Sequence, residues 1–289
     1  MKYALGIDIG GTFIRAAIVS DIGKIIMKER VNTGTNVLDN ALTLAKKISE
    51  NNNIIGIGIG APGPLDIKRG IILNPPNLKI KNLNLLKPFQ KKFKMPIVVD
   101  NDANLALWGE NWTGAAQKVT NAVMLTLGTG VGGGIIIDKK LFQGSFGAGA
   151  ELGHTIINLT GLKDNDGGIG HLEAFLGTKG ILRLGQNKFN SIIELAQALG
   201  EKNKTAHETI ARIGAILGAE CASSAAIFNP EVVVIGGGVT TLLGRFFMEI
   251  TRKEFKKRVF SPCGKGVKIK KAQLSDWAGV IGAARLIFE

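Results

Sequence analysis

The chain opens with short apolar segments that predict three successive β-strands. These strands are expected at 3–9, 13–19 and 24–31. Their turns contain Gly10 and Gly11, and then Gly23, so the three strands are expected to form an antiparallel meander. Residues 37–50 then repeat apolar side chains at helical spacing, and a buried strand follows at 54–60. The sequence therefore begins as a βββαβ unit.

The same order of elements restarts near residue 121. Residues 121–127 and 131–138 predict two strands on either side of Gly128, Thr129 and Gly130. The other predicted strands are 97–100, 141–142, 231–235 and 267–270, and the other predicted helices are 83–94, 103–112, 172–185, 191–199, 205–227, 239–256 and 276–288. Two halves, each opened by a glycine turn between antiparallel strands, indicate a duplicated α/β fold of two lobes with a nucleotide cleft between them.

The composition excludes several classes of protein. Of the 289 residues, 45% are apolar, which is enough to build a large core. Uninterrupted apolar runs stay far below the roughly 20 residues of a membrane-spanning helix. Asp8 follows the first apolar residues so closely that a signal peptide has no room to form. We therefore expect a cytoplasmic protein with no membrane span.

The net charge of +13 is concentrated in two segments. Residues 245–271 carry ten Lys or Arg and two acids, and residues 79–94 carry six Lys and no acid. Such basic runs also occur in proteins that bind nucleic acids. However, the chain has one Tyr, little aromatic interleaving in these runs, and no helix-turn-helix pattern before its first strand. We therefore expect a solvated cationic face and no nucleic-acid partner.

The first glycine turn suits a phosphate group. Gly10, Gly11 and Thr12 offer backbone N–H groups and a hydroxyl, and glycine lets the backbone approach phosphate oxygens closely. Asp8, at the end of the preceding strand, can hold Mg²⁺ directly or through water. A plain hairpin turn with a capping Asp is the alternative interpretation.

Two more glycine turns follow buried strands. Gly128, Thr129 and Gly130 begin a GxGxxG pattern, but a strand rather than a helix follows it, so a second phosphate-holding hairpin fits better than a dinucleotide site. The third turn comprises Gly236, Gly237 and Gly238. It lies between a strand and a helix, where the backbone can lie flat against a nucleotide ring.

Polar residues directly follow the strand at 97–100. Asp102 lies at a strand end and a helix N-terminus and is the candidate general base. Asp100 or Asn101 is the candidate N-cap, and the alternative is that all three residues only start a helix.

Further along the chain, Glu151, His154 and Glu173 provide groups that bind hydroxyls. A carboxylate accepts hydrogen bonds from adjacent sugar hydroxyls, and an imidazole can accept or donate. Together with the phosphate turns, these residues indicate a kinase that acts on a sugar.

These motifs resemble those of ROK sugar kinases, a family that includes bacterial glucokinases. The matching stretches cover essentially the whole chain in the family's order and spacing. They run from Asp8 to Thr12, Asn101 to Asn104, Leu127 to Gly134, Glu151 to His154 and Gly236 to Gly238. The resemblance implies a two-lobed actin-like ATPase fold of the ribonuclease H-like kind. It also implies transfer of the γ-phosphate of ATP, with Mg²⁺, to the 6-hydroxyl of a hexose, most specifically glucose.

The resemblance also implies roles for individual residues. Asp102 is implied as the base and as a sugar contact. The implied sugar ligands are Gly63, Asn77, Asn101, Glu151, His154 and Glu173. The implied phosphate binders are Gly10, Gly11, Thr12 and Thr129, with Gly128 and Gly130 in the same turn, and the implied adenosine wall is Gly236, Gly237 and Gly238. A small lobe of 1–115 plus 276–289, a large lobe of 116–275 and a homodimer are expected.

One stretch departs from the family's pattern. The family holds a structural zinc with a His and three Cys of a CxCGxxGCxE stretch, and here Asp164, Asp166 and His171 replace the three Cys. Two interpretations stay open. Hydrogen bonds or salt bridges hold a metal-free loop, or His154 joins these three residues in a site for Zn²⁺ or another divalent ion.

Alternative functions are expected within the same fold. N-acetylmannosamine, N-acetylglucosamine and fructose kinases share the hydroxyl-binding residues. A sugar-sensing regulator without catalysis is the alternative from a different class. Regulators of this family carry an N-terminal DNA-binding domain, whereas the phosphate turn here begins near residue 8, and the intact Asp102 also favours a kinase.

Overall fold

The computed structural model describes residues 1–75 and 78–289. The strands are β1 Tyr3–Ile9, β2 Phe13–Ser20, β3 Ile25–Asn32, β4 Ile57–Ala61, β5 Leu65–Asp66, β6 Ile71–Ile72, β7 Leu83–Asn84, β8 Ile97–Asn101, β9 Ala122–Leu127, β10 Val131–Ile137, β11 Lys140–Leu141, β12 Val232–Gly236 and β13 Lys268–Lys271. The α-helices are α1 Val37–Ser49, α2 Leu86–Lys92, α3 Asp102–Thr113, α4 Leu172–Leu176, α5 Thr178–Leu184, α6 Ile192–Gly200, α7 Lys204–Phe228, α8 Gly238–Arg258, α9 Ser261–Gly264 and α10 Ala278–Arg285. Two 3₁₀ helices span Leu152–His154 and Ser275–Trp277.

The chain divides into two compact units. Unit 1 comprises Met1–Lys118, Leu141–Ala150 and Asp276–Glu289. Unit 2 comprises Val119–Lys140 and Glu151–Ser275. Residues 141–150, which the sequence assigns to the large lobe, are thus grouped with unit 1.

Unit 1 is built on a five-stranded sheet in the order β3-β2-β1-β4-β8. The first three strands form the predicted antiparallel meander, and β4 and β8 continue the sheet in parallel with β1. Helix α1 packs on one face, where Ala41, Leu44 and Ile48 meet the buried side chains of β1 and β4. The apolar spacing that predicted α1 thus reflects one buried helix face.

Helices α3 and α10 pack together and on the first sheet through glycine contacts. A Cβ on Gly6 would lie 2.0 Å from the carbonyl oxygen of Val280, and one on Gly58 would lie 1.8 Å from that of Ala283. These distances require bare backbone on β1 and β4. The expectation that the last helix packs back on the first lobe is confirmed.

Unit 2 repeats the topology of unit 1. Its sheet has the order β11-β10-β9-β12-β13, in which β9 and β10 are antiparallel and β12 and β13 run parallel to β9. Helices α7 and α8 pack against each other, and Cys221 is fully buried on α7. The repeated strand order confirms the predicted duplicated α/β fold.

Two expectations about local structure are wrong. The predicted helix at 172–185 is two helices, because Gly177 breaks it and lets Thr178 donate from both its N–H and its hydroxyl to the carbonyl of Gly128. The sequence predicts no strand or helix between residues 60 and 83, but β5 and β6 lie there and pair with β7 in the small antiparallel sheet β5-β6-β7. Because Leu83 and Asn84 pair in this sheet, α2 begins three residues later than predicted, at Leu86.

Among the described residues, one helix is long and apolar enough to cross a membrane. This is α7, and 56% of its most apolar window is buried inside the protein. It packs along α8 and carries the buried carboxyl of Glu220, as expected of a core helix. Charged residues interrupt the sequence of α7, so this helix contains no long uninterrupted apolar run.

Candidate functional site

The first glycine turn connects β1 to β2 and presents its polar groups outward. The Gly10 N–H donates to the Phe13 carbonyl, and the Thr33 hydroxyl donates to the Gly10 carbonyl at 2.7 Å. Gly11 and Thr12 are exposed at the tip. A turn that is fixed at its base and open at its tip is suited to bind a phosphate.

Asp8 lies at the end of β1 in confined surroundings. Its side chain is 16% exposed, and the Arg15 guanidinium lies 3.9 Å from its carboxylate. Burial raises the pKa of Asp8 to about 6, against the lowering influence of Arg15, and nearby Asp276 adds to the rise. A Cβ on Gly279 would lie 3.2 Å from the carboxylate, so α10 forms one wall of this space. A secluded carboxylate with hard oxygen donors fits Mg²⁺.

The segment after β8 separates a buried aspartate from a more accessible one. Asp100 is 2% exposed and accepts hydrogen bonds from the Asn101 N–H, the Asn104 amide and the Gln143 amide. Burial raises the pKa of Asp100, although these three hydrogen bonds oppose the rise. Asp102, the first residue of α3, is only partly buried. Asp100 therefore anchors the segment, whereas part of the surface of Asp102 stays exposed to solvent.

Asn101 is the N-cap of α3. Its side-chain oxygen accepts from the N–H groups of Ala103 and Asn104, at 2.9 and 3.2 Å. This decides between the two candidates, since Asp100 does not cap the helix. The oxygen of Asn101 is committed to the helix, so its amide nitrogen is the group suited to a sugar hydroxyl.

Two further residues, Gly63 and Asn77, were predicted as sugar ligands. Gly63 is half-buried, just before the strand β5. Asn77 lies outside the described residues. The structure therefore gives a position for Gly63 alone.

The second glycine turn is held by a carboxylate from α4. One oxygen of Glu173 accepts the Val131 N–H at 2.9 Å, and the other accepts the Asn165 amide at 3.1 Å. The Gly128 N–H donates to the Gly130 carbonyl, while Thr129 is exposed at the tip. Glu173, predicted as a sugar ligand, thus also joins the turn to the loop that contains Asn165.

The 3₁₀ helix Leu152–His154 follows the exposed Glu151. It is tied to α7 through Thr155, whose hydroxyl lies 2.9 Å from a carboxylate oxygen of Glu220. The Ser224 hydroxyl donates to the other oxygen of Glu220 at 3.2 Å. Burial raises the pKa of Glu220, although both hydroxyls oppose the rise. Glu220 is not recognisable from the sequence as a functional residue, because a glutamate on an Ala-rich helix gives no sign of being buried.

The loop in which Asp164, Asp166 and His171 replace the family's cysteines brings three potential metal ligands together. The Nδ1 atoms of His154 and His171 lie 3.2 Å apart, and they lie 3.2 and 2.6 Å from one carboxylate oxygen of Asp164. Asp166 is more distant, at 3.8 Å from His154 Nε2. Burial alone would raise the pKa of Asp164, but hydrogen bonds from His171 and the Gly168 N–H hold this pKa below its usual range. The donor set fits Zn²⁺, and the Asp164–His171 hydrogen bond also exists without a metal.

The third glycine turn presents bare backbone at the start of α8. Gly237 has a φ of +87°, and a Cβ there would lie 2.2 Å from the Leu127 carbonyl oxygen. A Cβ on Gly238 would meet no atom within 4 Å. Gly236 is the last residue of β12, so the turn lies at the C-terminal end of this strand. An open backbone surface at this turn leaves space for a flat nucleotide ring to lie against it.

Comparison with known proteins identifies the class to which this fold and these turns belong. The model of the ROK family matches residues 4–289, and the chain belongs to the ROK family. The predicted actin-like fold, and the resemblance from which it was drawn, are confirmed.

Individual relatives include both enzymes and regulators. A glucokinase of Streptomyces coelicolor is 32% identical, with 100% of this chain and 98% of that protein covered. A xylose repressor of Caldicellulosiruptor bescii is 31% identical, with 98% of this chain and 77% of the repressor covered. Among solved structures, a ROK family glucokinase from Streptomyces griseus in complex with glucose and AMPPNP is 31% identical, with a TM-score of 0.86 and 98% of both chains covered.

Proposed function

We propose that this chain is an ATP-dependent hexokinase that transfers the γ-phosphate of ATP to the 6-hydroxyl of glucose. The observation that carries this proposal is the end-to-end match to a glucokinase, combined with an accessible Asp102 beside the buried anchor Asp100. The solved glucokinase in complex with glucose and AMPPNP supports ATP as the phosphate donor.

Asp102 is the proposed general base. It accepts the proton of the sugar 6-hydroxyl as that oxygen forms a bond to the γ-phosphorus, while the bond from that phosphorus to the ADP oxygen breaks. Phosphoryl transfer depends mainly on positioning and charge stabilisation, so the base contributes only part of the acceleration. The capping hydrogen bonds of Asn101 fix the start of α3 and thereby the backbone that carries Asp102.

Each unit has its own glycine turn for the phosphate side of the proposed reaction. The exposed tips at Thr12 and Thr129 offer hydroxyls and N–H groups to phosphate oxygens. Gly238 offers open backbone to the adenosine. Asp8 would hold Mg²⁺, which when bound supplies neutralisation of the phosphate charge.

The proposed sugar ligands of unit 2 differ in how far their side chains already form hydrogen bonds within the unit. Glu151 is exposed and can accept from hydroxyls, whereas both oxygens of Glu173 already accept hydrogen bonds within the unit. A carboxylate oxygen can accept a second bond, so Glu173 can still serve a sugar while it holds the turn. His154 contributes from the 3₁₀ helix through a ring already oriented by Asp164.

A coupled assay of ADP release tests the proposed reaction and the base. The assay uses Mg-ATP with glucose, mannose, fructose, N-acetylglucosamine and N-acetylmannosamine. We expect glucose to be preferred and Asp102→Ala to lower turnover roughly 10²–10⁴-fold with little change in ATP binding. The matched control is Asp39→Asn, on the exposed first turn of α1, which should keep full turnover. A loss below tenfold in Asp102→Ala would contradict the assignment of the base.

The substrate panel also separates the alternatives within the fold. Turnover confined to fructose or to an acetamido sugar would keep the mechanism and change the substrate. The xylose repressor relatives favour a second candidate, a sugar-sensing regulator. A sugar-binding assay without ATP and a gel shift with DNA test it. Sugar binding and a DNA shift without turnover on any hexose would favour the regulator.

We further propose that the protein is a homodimer and acts in the cytoplasm. Sedimentation velocity tests the first statement, since a single species at the monomer mass of 30.6 kDa would contradict a dimer. Fractionation of the source cells tests the second.

A further inference from the structure

A cavity of about 810 Å³ lies in unit 2 between the C-terminal half of α8, the short helix α9 and the strand β13. We name it the α8–β13 cavity. Its lining runs from Arg252 on α8, through α9, to Lys270 on β13. Its volume is in the range of small-molecule sites, about 300–1,000 Å³.

The rim of the α8–β13 cavity is cationic. Five lining residues are Lys or Arg, and none is acidic. Of the nearest acids along α8, Glu249 lies 3.6 Å from Arg252, and Glu254 pairs with Lys257 and Arg258, which do not line the cavity. Like charges gathered around one concave surface raise the local concentration of anions. This rim also gives the basic segment at 245–271 a definite location.

The floor of the same cavity is apolar. Phe255 and Ile269 are 5% and 6% exposed, and Val259 and Val267 are half-buried beside them. Inorganic phosphate or a sugar would leave this apolar surface without a partner. A ligand with an apolar body would cover the floor and gain the free energy of removing that surface from water.

The α8–β13 cavity is separate from the proposed adenosine wall. Strands β12 and β13 are parallel, with Val232 opposite Lys268 and Ile235 opposite Lys271. The cavity is lined by residues just before β13 and by its first three residues, Lys268 to Lys270. The glycine turn instead follows the carboxyl end of β12 at Gly236. None of the three turn residues is among those that line the cavity.

We propose that the α8–β13 cavity binds a soluble amphiphile with an apolar body and two or more negative charges. The apolar floor holds the body, and the exposed rim cations Lys256, Lys265 and Lys268 hold the charges. A single-stranded nucleic acid fits less well, because the only aromatic side chain of the lining is the buried Phe255.

Isothermal titration with bis-anilinonaphthalene disulfonate, an apolar dianion, tests the proposal. We expect one site per chain. The variant Lys256→Glu/Lys265→Glu/Lys268→Glu changes three exposed rim residues and should weaken binding about tenfold or more. The control variant Lys188→Glu/Lys204→Glu/Lys253→Glu makes the same charge change at exposed positions of unit 2 outside the cavity, and should retain binding. Circular dichroism checks that both variants fold.

Four outcomes would overturn the proposal. The first is equal affinity of the two triple variants, and the second is displacement of the probe by Mg-ATP, which would assign it to the nucleotide site. The third is tight binding of neutral N-phenylnaphthylamine with no preference for the dianion. The fourth is binding to phosphatidylglycerol vesicles without binding of the monomeric probe, which would make the cationic rim a membrane surface.

Discussion

The contact between β4 and α10 predicts a large effect of adding one methyl group at Gly58. A Cβ at this position would lie 1.8 Å from the carbonyl oxygen of Ala283 and 2.4 Å from its carbonyl carbon. Real Cβ atoms essentially never approach other atoms within 3.0 Å, so α10 would have to retreat by about 1.2 Å. Both atoms belong to backbone, and no side chain can rotate away to relieve the overlap.

The expected cost follows from two opposing contributions. Overpacking costs roughly 1–3 kcal/mol when side chains can adjust, and a backbone clash belongs at the upper end. Replacing glycine within a strand returns roughly 0.5–1 kcal/mol of conformational entropy. Gly58→Ala should therefore lower the free energy of unfolding of unit 1 by about 2 kcal/mol.

Tryptophan fluorescence during urea unfolding measures this change selectively. All three tryptophans, Trp108, Trp112 and Trp277, belong to unit 1. Gly60→Ala is the matched control on the same face of β4. Its Cβ would lie no closer than 3.3 Å to any atom, and that nearest atom belongs to the Leu105 side chain, so no backbone would have to move. If Gly58→Ala unfolds at the urea concentration of the control, the close packing of α10 on the sheet is refuted.

Three further predictions concern carboxylates of unit 2 that accept hydrogen bonds within the unit. Glu173→Leu leaves the Val131 N–H without its acceptor and should cost about 1–3 kcal/mol in urea unfolding followed by circular dichroism, whereas Glu173→Gln should recover most of it. Glu220→Gln should gain stability relative to the wild type as pH rises from 4 to 7 in the same assay. Burial raises the pKa of Glu220 above its unfolded value, so the stability it contributes is complete below about 4.5 and is lost as pH rises through the folded pKa. On the metal-bound interpretation of the loop, zinc added after chelation should raise the Tm of the wild type and leave the Tm of Asp164→Ala unchanged.

Each of these three predictions would be contradicted by a specific result. Equal stability of Glu173→Leu and Glu173→Gln would mean that the turn does not depend on the carboxylate. A stability difference between Glu220→Gln and the wild type that is constant across pH would contradict a raised pKa. Metal analysis that finds no stoichiometric zinc, with a Tm that zinc leaves unchanged, would establish the metal-free interpretation of the loop.

The sheets and long helices could be predicted because each carries a period that burial imposes on the sequence. The meander at 3–31 and the helix α1 are local patterns, and glycine marks the turns. The sheet β5-β6-β7 escaped prediction because strands of two residues contain no period. The break at Gly177 escaped it because the cause is distant: Thr178 bonds to Gly128, fifty residues earlier.

In the candidate site, the sequence also predicts the type of a functional residue but not its hydrogen-bond partners. The sequence identified Glu173 as a carboxylate suited to sugar hydroxyls, but its partners depend on the fold. One oxygen accepts from Val131 at the second glycine turn, and the other accepts from Asn165 in the loop where the family's cysteines are replaced. A change in that loop therefore reaches the turn through one side chain. Whatever holds the loop, a metal or the Asp164–His171 hydrogen bond, also helps to fix the N–H groups that we propose bind phosphate.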